Sequence, residues 1–389
     1  MRYVVIGASA AGISTVKKLR ELNPEDEIIL ISKDERSYSR CILFRYLEGT
    51  RSLEEIELAG MDFEEGLQIR WIKGINVRNV QVEEKEVLLE NGKRVSYDKL
   101  CIASGAHTNY PPIPGLREAK NVVGFRNLED VERIKEYLKA AKDIFVMGAG
   151  LVGIDVIEGL LPYQKRLTLA DMGPYMMPIQ LDEYTAKVYQ DLFVEKGVKQ
   201  YYKTGAREFV LDERGNCTKV ILQNGIEIKT DLVINCAGVR PNIEFLQGTE
   251  LECDRFGIVT DKNGRTNVPD IFAAGDVTGR KAIWPVAVSE GIAAAYSMSG
   301  KENSAEDYFS VKASMYFLDL ATVSIGNVNQ YDQTFEEEIT QDKSGNYMKL
   351  VWKDEVLKGA LLQGDLDKSG ILAKAVHLGK KRSEIKELA

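Results

Sequence analysis

Residues 143–153 read DIFVMGAGLVG, and this stretch decides the fold. The apolar run at 143–147 predicts a strand that is buried on both faces. Three glycines follow at the spacing GxGxxG, and a helical segment is predicted over residues 151–161. Such a turn lets a pyrophosphate approach backbone N–H groups at the positive end of the helix. The stretch therefore predicts a nucleotide-binding strand–turn–helix unit, and residues 167–171 form its next strand.

The same unit opens the chain, because residues 2–12 read RYVVIGASAAG. A helix follows with Ile13, Val16 and Leu19 on one side, and residues 27–31 form a second buried strand. Ser9, a small residue, stands where the second unit has its middle glycine. Two units in one chain indicate two nucleotide-binding domains.

An acidic residue at the end of the next strand normally binds the adenosine ribose hydroxyls. In the second unit this residue is Asp171, which predicts NADH rather than NADPH because a carboxylate repels a 2′-phosphate. The alternative is a solvated charge at the end of a strand. In the first unit the matching position is Ser32, followed by Lys33, so the ribose acid is missing or displaced there.

Composition excludes several classes of function. The 389 residues suggest two or three domains, and 51 basic against 59 acidic residues give a net charge of −8. This balance argues against nucleic acid or an anionic membrane as a partner. Five scattered cysteines without a CxxC pair and only two histidines predict no metal site. We expect a cytoplasmic protein with neither a signal peptide nor a membrane span.

Further motifs resemble one family, the FAD-dependent pyridine nucleotide–disulfide oxidoreductases, in the branch of rubredoxin, ferredoxin and nitrite-reductase-type reductases and NADH oxidases. Residues 103–105 (ASG) and 266–276 (TNVPDIFAAGD) carry this resemblance, with 238–242 (GVRPN) and 284–287 (WPVA). It implies an α/β fold of two Rossmann-like (ββα-type) dinucleotide-binding domains and a small α+β C-terminal domain. The predicted domains are FAD-binding (1–110 and 237–308), NAD-binding (111–236) and a C-terminal interface domain (309–389).

The resemblance also implies that Asp276 holds the ribityl chain of FAD, although an N-terminal helix cap is an alternative role for this residue. Together with the two turns, it predicts a set of cofactor-binding residues. These are Gly7, Ser9, Ala10, Ala11, Gly12, Ser32, Lys33, Arg40, Ala103, Ser104, Gly105, Gly148, Gly150, Leu151, Val152, Gly153, Asp171, Gly238, Gly275, Asp276, Trp284 and Ala287.

Residues 37–45 (SYSRCILFR) mix two patterns of this family. NADH oxidases and coenzyme A-disulfide reductases have a single redox cysteine where Cys41 stands. Ferredoxin-reductase relatives have an arginine at the position of Arg40 and a lysine near the flavin at that of Arg45. A thiol beside flavin can cycle through a sulfenic acid or a mixed disulfide. Cysteine is also a common small hydrophobic residue, so a structural role for Cys41 stays open.

In relatives a glutamate two residues after the third glycine pairs with that lysine, and here the two positions are Asp155 and Arg45. We therefore hypothesise an Arg45–Asp155 ion pair that joins the two nucleotide-binding domains, with Cys41, Arg45 and Asp155 as the candidate catalytic residues. The alternative is that Asp155 caps a helix or faces solvent while Arg45 contacts phosphate.

The resemblance implies an enzyme that passes hydride from NADH to FAD and electrons on to a redox protein or an iron–sulfur subunit. The alternative function is an NADH oxidase or coenzyme A-disulfide reductase that uses Cys41. A homodimer through the C-terminal domain is also compatible with the family. A redox carrier is often acidic, so docking would need a basic patch. The candidates are 380–382 (KKR) and the arginines at 36, 40, 45 and 51.

Overall fold

A computed structural model describes residues 1–60, 62–279, 282–303, 312–329 and 332–385. The helices are α1 Ala10–Leu22, α2 Leu43–Glu48, α3 Phe63–Gly66, α4 Leu128–Leu138, α5 Leu151–Leu160, α6 Glu183–Glu195, α7 Trp284–Met298, α8 Ser369–Leu378 and α9 Arg382–Ile385. The strands are β1 Arg2–Ile6, β2 Glu27–Ile31, β3 Arg70–Ile72, β4 Val77–Gln81, β5 Glu86–Leu89, β6 Arg94–Ser96, β7 Lys99–Ile102, β8 Ala106–Thr108, β9 Val122–Gly124, β10 Asp143–Met147, β11 Arg166–Ala170, β12 Lys199–Tyr201, β13 Ala206–Leu211, β14 Cys217–Leu222, β15 Glu227–Lys229, β16 Leu232–Asn235, β17 Val239–Pro241, β18 Ile271–Ala273, β19 Lys312–Phe317, β20 Leu320–Gly326, β21 Glu336–Gln341, β22 Tyr347–Lys353 and β23 Val356–Gln363.

The chain divides into two compact units. Unit 1 comprises Met1–Leu43, Arg51–His107 and Val239–Asp307, and unit 2 comprises Phe44–Thr50, Thr108–Gly238 and Tyr308–Ala389. The predicted α/β class with two Rossmann-like sheets and a small C-terminal sheet is confirmed. The three-domain division stays a prediction, and its boundary at residue 309 falls outside the described residues.

The core of unit 1 is a parallel sheet with the strand order β18-β7-β1-β2-β3. Both faces are buried, because alternate residues of β1 enter different apolar clusters: Tyr3 and Val5 on one face, Val4 and Ile6 on the other. Helices α1 and α7 pack closely on the first face. A Cβ built on Gly291 would lie 3.1 Å from the carbonyl carbon of Ala11, so this helix crossing requires glycine.

Unit 2 contains a second parallel sheet, with the order β12-β11-β10-β16-β9, and the antiparallel sheet β13-β14-β15. Its C-terminal part is the antiparallel sheet β19-β20-β23-β22-β21, and α8 packs on this sheet through Leu372, Ala373 and Ala375. Every residue of the edge strand β21 is exposed. The three glutamates at 336–338 place charge on that edge, which disfavours pairing with another chain.

A buried polar network ties the C-terminal sheet to α6 within unit 2. Asp182 caps α6 by accepting the Thr185 N–H at 2.9 Å, and it also accepts the Tyr347 hydroxyl at 2.6 Å. The Lys349 ammonium, whose side chain is only 5% exposed, lies 3.0 Å from Glu337 and 3.8 Å from Asp182. A buried lysine needs such carboxylate partners, so this contact fixes the sheet on the helix.

Candidate functional site

The first glycine turn leaves no room for side chains at its outer glycines. Gly7 has φ +106°, and a Cβ there would lie 2.7 Å from the carbonyl carbon of Ala103. A Cβ on Gly12 would lie 2.9 Å from the carbonyl carbon of Gly7. These two glycines therefore let β1 turn directly into α1 and hold the helix against the strand.

The N-terminus of α1 is not capped by a side chain. Ser9 is its N-cap residue in an extended conformation, but its hydroxyl makes no capping hydrogen bond, and the first turn, which includes Ala10 and Ala11, contains no acid. By contrast, α4 has a capping box formed by Asn127 and Asp130. A helix N-terminus without its own acceptor is a suitable place for an anionic phosphate.

Ser32, at the end of β2, does not present a free hydroxyl. Its Oγ donates to the Asp34 carbonyl at 2.6 Å and accepts the indole N–H of Trp71 at 2.8 Å, and the residue is buried. Lys33 beside it is exposed. At the position where a ribose-binding acid was expected, Ser32 instead contacts Trp71, which lies 39 residues further along the chain.

Arg40 lies in a cluster of charges in unit 1. Its guanidinium is 3.0 Å from Asp34 and is stacked over the Tyr38 ring at 4.8 Å. Burial disfavours the charged form of Arg40. The interactions with Tyr38, Asp34 and Asp276 stabilise that charge more strongly, so the pKa of Arg40 is raised. Asp276 is therefore within electrostatic reach of Arg40. Cys41, which follows, is exposed.

The turn at Gly275 and Asp276 is shaped by a carboxylate of α7. Gly275 has φ +82° and donates its N–H to Glu290 at 2.7 Å, and Thr278 donates its hydroxyl to the same oxygen at 3.3 Å. Asp276 is the first residue of a short 3-10 helix whose N-cap is Gly275. Gly275, rather than Asp276, is therefore the N-cap residue of this short helix.

Two further predicted segments pack in unit 1. Ala103, Ser104 and Gly105 follow β7, and Ser104 exchanges two 2.8 Å hydrogen bonds with Asn242, one from its hydroxyl and one to its carbonyl. Trp284 and Ala287 lie in the first turn of α7 and belong to the apolar cluster that contains α1. These segments and the first glycine turn therefore belong to one compact unit.

The second glycine turn repeats the first with one difference. A Cβ on Gly148 would lie 2.5 Å from the Cys236 carbonyl oxygen, and one on Gly153 would lie 2.9 Å from the Gly148 carbonyl carbon. A Cβ on Gly150 would meet no atom within 4 Å. Gly150 is the N-cap of α5, whose first turn, with Leu151 and Val152, contains no acid. Packing requires the outer glycines, whereas the middle one faces open space.

The acid predicted at the end of β11 lies beside this turn. One Asp171 oxygen accepts the Ala149 N–H at 2.6 Å and the other accepts the Gly173 N–H at 2.5 Å. The carboxylate is therefore oriented by two backbone N–H donors next to the turn. Gly238, with φ +83°, lies in unit 2 and accepts the Asn109 N–H at 3.0 Å.

The hypothesis of an Arg45–Asp155 ion pair is wrong. Arg45 belongs to the 44–50 segment of unit 2, and its guanidinium lies 3.0 Å from Glu48 and 3.8 Å from Glu158. Helical spacing places Glu158 on the same face of α5 as Asp155, one turn further along. Glu158 is therefore the carboxylate of this face that comes within 4 Å of Arg45. Arg45 acts on Asp155 only through its charge.

Asp155 has no hydrogen-bond or ion-pair partner among the described residues. Burial, and next the charge of Glu158, raise the pKa of Asp155 well above its ordinary value. Burial, and next the charge of Asp155, raise the pKa of the Cys236 thiol. A buried carboxyl group of α5 with a raised pKa is a setting typical of functional sites.

The predicted site residues did not include Glu158, Glu290 or Trp71, although residues 290–291 belong to a segment that resembles the family. Glu158 and Asp155 are the only charged residues of α5, LVGIDVIEGL, and Glu290 is the only one of α7. A charge inside an apolar helix was the available signal, because burial of a carboxylate is costly unless it has a partner. Trp71 offered no such signal.

The basic candidates for a docking patch are mostly paired. Arg36, Arg45 and Arg51 contact glutamates, and Arg40 contacts Asp34. Near the C-terminus, Lys380 pairs with Glu384 and Arg382 with Glu336. These contacts reduce the positive potential that the residue types alone suggest. None of the described helices is both long and apolar enough to cross a membrane.

Two family models match the chain. The model described as pyridine nucleotide-disulphide oxidoreductase matches residues 1–291, and the model described as the rubredoxin NAD+ reductase C-terminal domain matches residues 314–380.

Individual proteins are similar over most of the chain. The assimilatory nitrate reductase electron transfer subunit of Bacillus subtilis is 26% identical over 95% of this chain but only 48% of its own length. The NADH-dependent phenylglyoxylate dehydrogenase subunit epsilon of Aromatoleum evansii is 26% identical over 96% of this chain and 91% of its own. The solved structure of a NAD-dependent persulfide reductase from A. fulgidus shares the fold, with a TM-score of 0.88, 23% identity and coverage of 100% of this chain and 79% of its own.

Proposed function

The chain belongs to the pyridine nucleotide-disulphide oxidoreductase family, and we propose that it oxidises NADH, passes the hydride to FAD and delivers the electrons to a redox protein or an iron–sulfur subunit. The C-terminal match to the rubredoxin NAD+ reductase domain supports the acceptor class. So do the two relatives, because each is a subunit and one carries electron transfer in its name.

The residues present in unit 1 fit FAD. The N-terminus of α1 has no side-chain cap, so its N–H groups would be available to a pyrophosphate, and the lack of Cβ atoms at Gly7 and Gly12 lets α1 begin directly after β1. Asp276, on a turn fixed by Glu290, offers a carboxylate for ribityl hydroxyls. Bound flavin supplies the capacity to accept a hydride and to release electrons singly or as a pair.

The residues of the second turn fit NADH. Gly150 leaves open space in front of the α5 N-terminus, and Asp171 presents a carboxylate that is already oriented by two N–H donors. A negative charge at this position favours ribose hydroxyls over a 2′-phosphate. This supports NADH over NADPH. The protein's task is to bind and orient the nucleotide, since the hydride chemistry belongs to the cofactors.

One observation carries the proposal: two strand–turn–helix units in one chain whose helices begin without a side-chain cap or an acid in the first turn. A single unit would support only nucleotide binding. Two units supply one site for a hydride donor and one for its acceptor. The test is an anaerobic titration of the flavin-loaded protein with NADH, followed by mixing with oxidised rubredoxin, ferredoxin or a dye.

The expected result is loss of flavin absorbance on NADH addition, and its return when an iron–sulfur or rubredoxin acceptor is added. A protein that binds flavin but shows no change with NADH would contradict the proposal. It would indicate that the flavin serves structure only.

A second candidate is an NADH oxidase or coenzyme A-disulfide reductase that uses Cys41, and exposure of Cys41 favours it. A thiolate must reach its substrate, so exposure is a requirement of that chemistry. Turnover with oxygen or coenzyme A disulfide that disappears in Cys41→Ser, with flavin reduction intact, would support this candidate. The homodimer and the cytoplasmic location stay predictions.

A further inference from the structure

Glu158 is a buried carboxylate with two different neighbours. It lies near the end of α5 and is only 7% exposed. Its Oε1 accepts the Leu318 N–H at 3.1 Å, while its Oε2 lies 3.8 Å from Arg45 Nη2 and has no hydrogen-bond partner among the described residues. An orphaned oxygen on a buried carboxylate requires an explanation, because burial without a partner is costly.

The first neighbour, Arg45, is carried by a segment that is seated directly on α5. A Cβ on Gly159 would lie 2.9 Å from the Phe44 carbonyl oxygen, so glycine permits the close approach. Tyr163, just after α5, donates its hydroxyl to the Leu47 carbonyl at 2.7 Å. Arg45 stacks over the Phe44 ring at 4.5 Å and donates to Glu48 at 3.0 Å. The backbone is thus held on α5, and Glu158 can act on the orientation of the guanidinium.

The second neighbour is the two-residue turn between β19 and β20. Leu318 has φ +49° and Asp319 has φ +63°, which is the left-handed region that a leucine rarely occupies. Tyr189 of α6 supports the flanks of this turn, by donating its hydroxyl to the Leu320 carbonyl at 2.8 Å. Glu158 accepts the N–H of Leu318 itself. Both central residues of a two-residue hairpin turn of this kind have positive φ, so the Glu158 contact stabilises a conformation that leucine seldom adopts.

We propose that Glu158 is a positioning residue that orients Arg45 and at the same time anchors the β19–β20 turn, so that one carboxylate of α5 couples the C-terminal sheet to the arginine. The functional part rests on the proposed function together with the family resemblance, which implies a basic residue near the flavin at the position of Arg45. The coupling itself lies within unit 2 and is testable without any cofactor.

The charged and titratable groups that face Glu158 come from every element around it. They are Arg45 and Glu48 of α2, Asp155 of α5, Tyr189 of α6, and Tyr316 and Asp319 at the β19–β20 turn. Burial raises the pKa of Glu158, while the Leu318 N–H and Arg45 oppose this rise. The charge on Glu158 in turn contributes, after burial, to the raised pKa of Asp155. Removal of that charge should therefore lower the pKa of Asp155.

Two substitutions separate the two contacts. Glu158→Gln keeps an oxygen that can accept the Leu318 N–H but removes the charge that acts on Arg45 and Asp155. Glu158→Ala removes both. Glu195→Gln is the matched control, because Glu195 is an exposed glutamate at the end of another helix of the same unit.

The first measurement uses flavin-free protein. We expect amide hydrogen exchange at Leu318 to stay slow in Glu158→Gln and to become at least about tenfold faster in Glu158→Ala. The carboxylic acid C=O vibration of Asp155, identified by its loss in Asp155→Asn, should disappear at a lower pH in Glu158→Gln than in the parent chain. Unchanged exchange in Glu158→Ala together with an unchanged Asp155 titration would overturn the proposal.

The second measurement uses the flavin-loaded protein. In Glu158→Gln the rate of flavin reduction by NADH should fall about ten- to a hundredfold, with KM for NADH changed less than about twofold, because a misplaced group affects the reacting geometry more than binding. Combining Glu158→Gln with Arg45→Gln should add little further loss. A rate equal to that of Glu195→Gln would refute the positioning role. If the parent chain itself is not reduced by NADH, the proposed function fails while the exchange result stands.

Discussion

Substitution of the middle glycine of the second turn offers a direct test of nucleotide binding. Gly150 has φ −77° and ψ −176°, which alanine adopts freely, and its added Cβ would meet no atom within 4 Å. We therefore expect Gly150→Ala to change the free energy of unfolding by no more than about 0.5–1 kcal/mol. The methyl group would nevertheless occupy the space through which a phosphate reaches the α5 N-terminus.

The expected effect on NADH follows from the hydrogen bond that the methyl group blocks. A hydrogen bond to a charged group contributes about 1.5–3 kcal/mol, so KM and Kd for NADH should rise about ten- to 150-fold. FAD content should not change, because Gly150 lies in unit 2 and the first turn lies in unit 1. Flavin absorbance measures the FAD content, calorimetric titration measures Kd for NADH, and urea unfolding measures the free energy of unfolding.

Gly153→Ala is the contrasting variant. Its Cβ would lie 2.9 Å from the Gly148 carbonyl carbon and nearer still to the oxygen, so α5 must move away from β10. We expect a loss of stability of about 1–3 kcal/mol or more. A Gly150→Ala protein that binds NADH as tightly as the parent chain would refute the assignment of this turn to NADH.

Three further changes test the site. Asp171→Asn should weaken NADH binding about tenfold and narrow the preference over NADPH, because the charge that repels a 2′-phosphate is lost; an unchanged ratio of the two KM values would contradict this role. Asp155 has a pKa raised above that of the unfolded chain, so its contribution to stability is complete below about pH 4 and is lost as the pH rises through the folded pKa. Asp155→Asn should therefore be more stable than the parent chain at pH 8, by about 1 kcal/mol in urea unfolding, and this gain should vanish near pH 4; the same difference at both pH values would count against a raised pKa of Asp155. Cys41→Ser should leave both flavin reduction by NADH and electron delivery to a rubredoxin or iron–sulfur acceptor within about twofold of the parent rates, whereas loss of delivery would favour the thiol-dependent alternative.

The packing of α5 explains why the predicted Arg45–Asp155 ion pair does not form. The family pattern predicts Asp155 as the partner of Arg45, because the two residues stand where relatives have the paired glutamate and lysine. Spacing from a motif, however, does not give the distance between two side chains in the folded protein. On α5, residues three apart share a face, so Glu158 competes for the same guanidinium and lies nearer to it. Which carboxylate comes closer depends on how the 44–50 segment is seated on Gly159.

Local sequence by itself determined the two strand–turn–helix units, since the apolar strands, the glycine spacing and the strand-end acid are all set within about 30 residues of chain. Tertiary structure alone decided which groups meet from distant segments: Glu158 with Leu318, Glu290 with Gly275, and Trp71 with Ser32. The physical reason is that the positive φ of the first glycine in each turn, and the close approach of the third glycine to it, are set within a few residues. The partner of a buried polar group, however, depends on the packing of elements that are far apart in the chain.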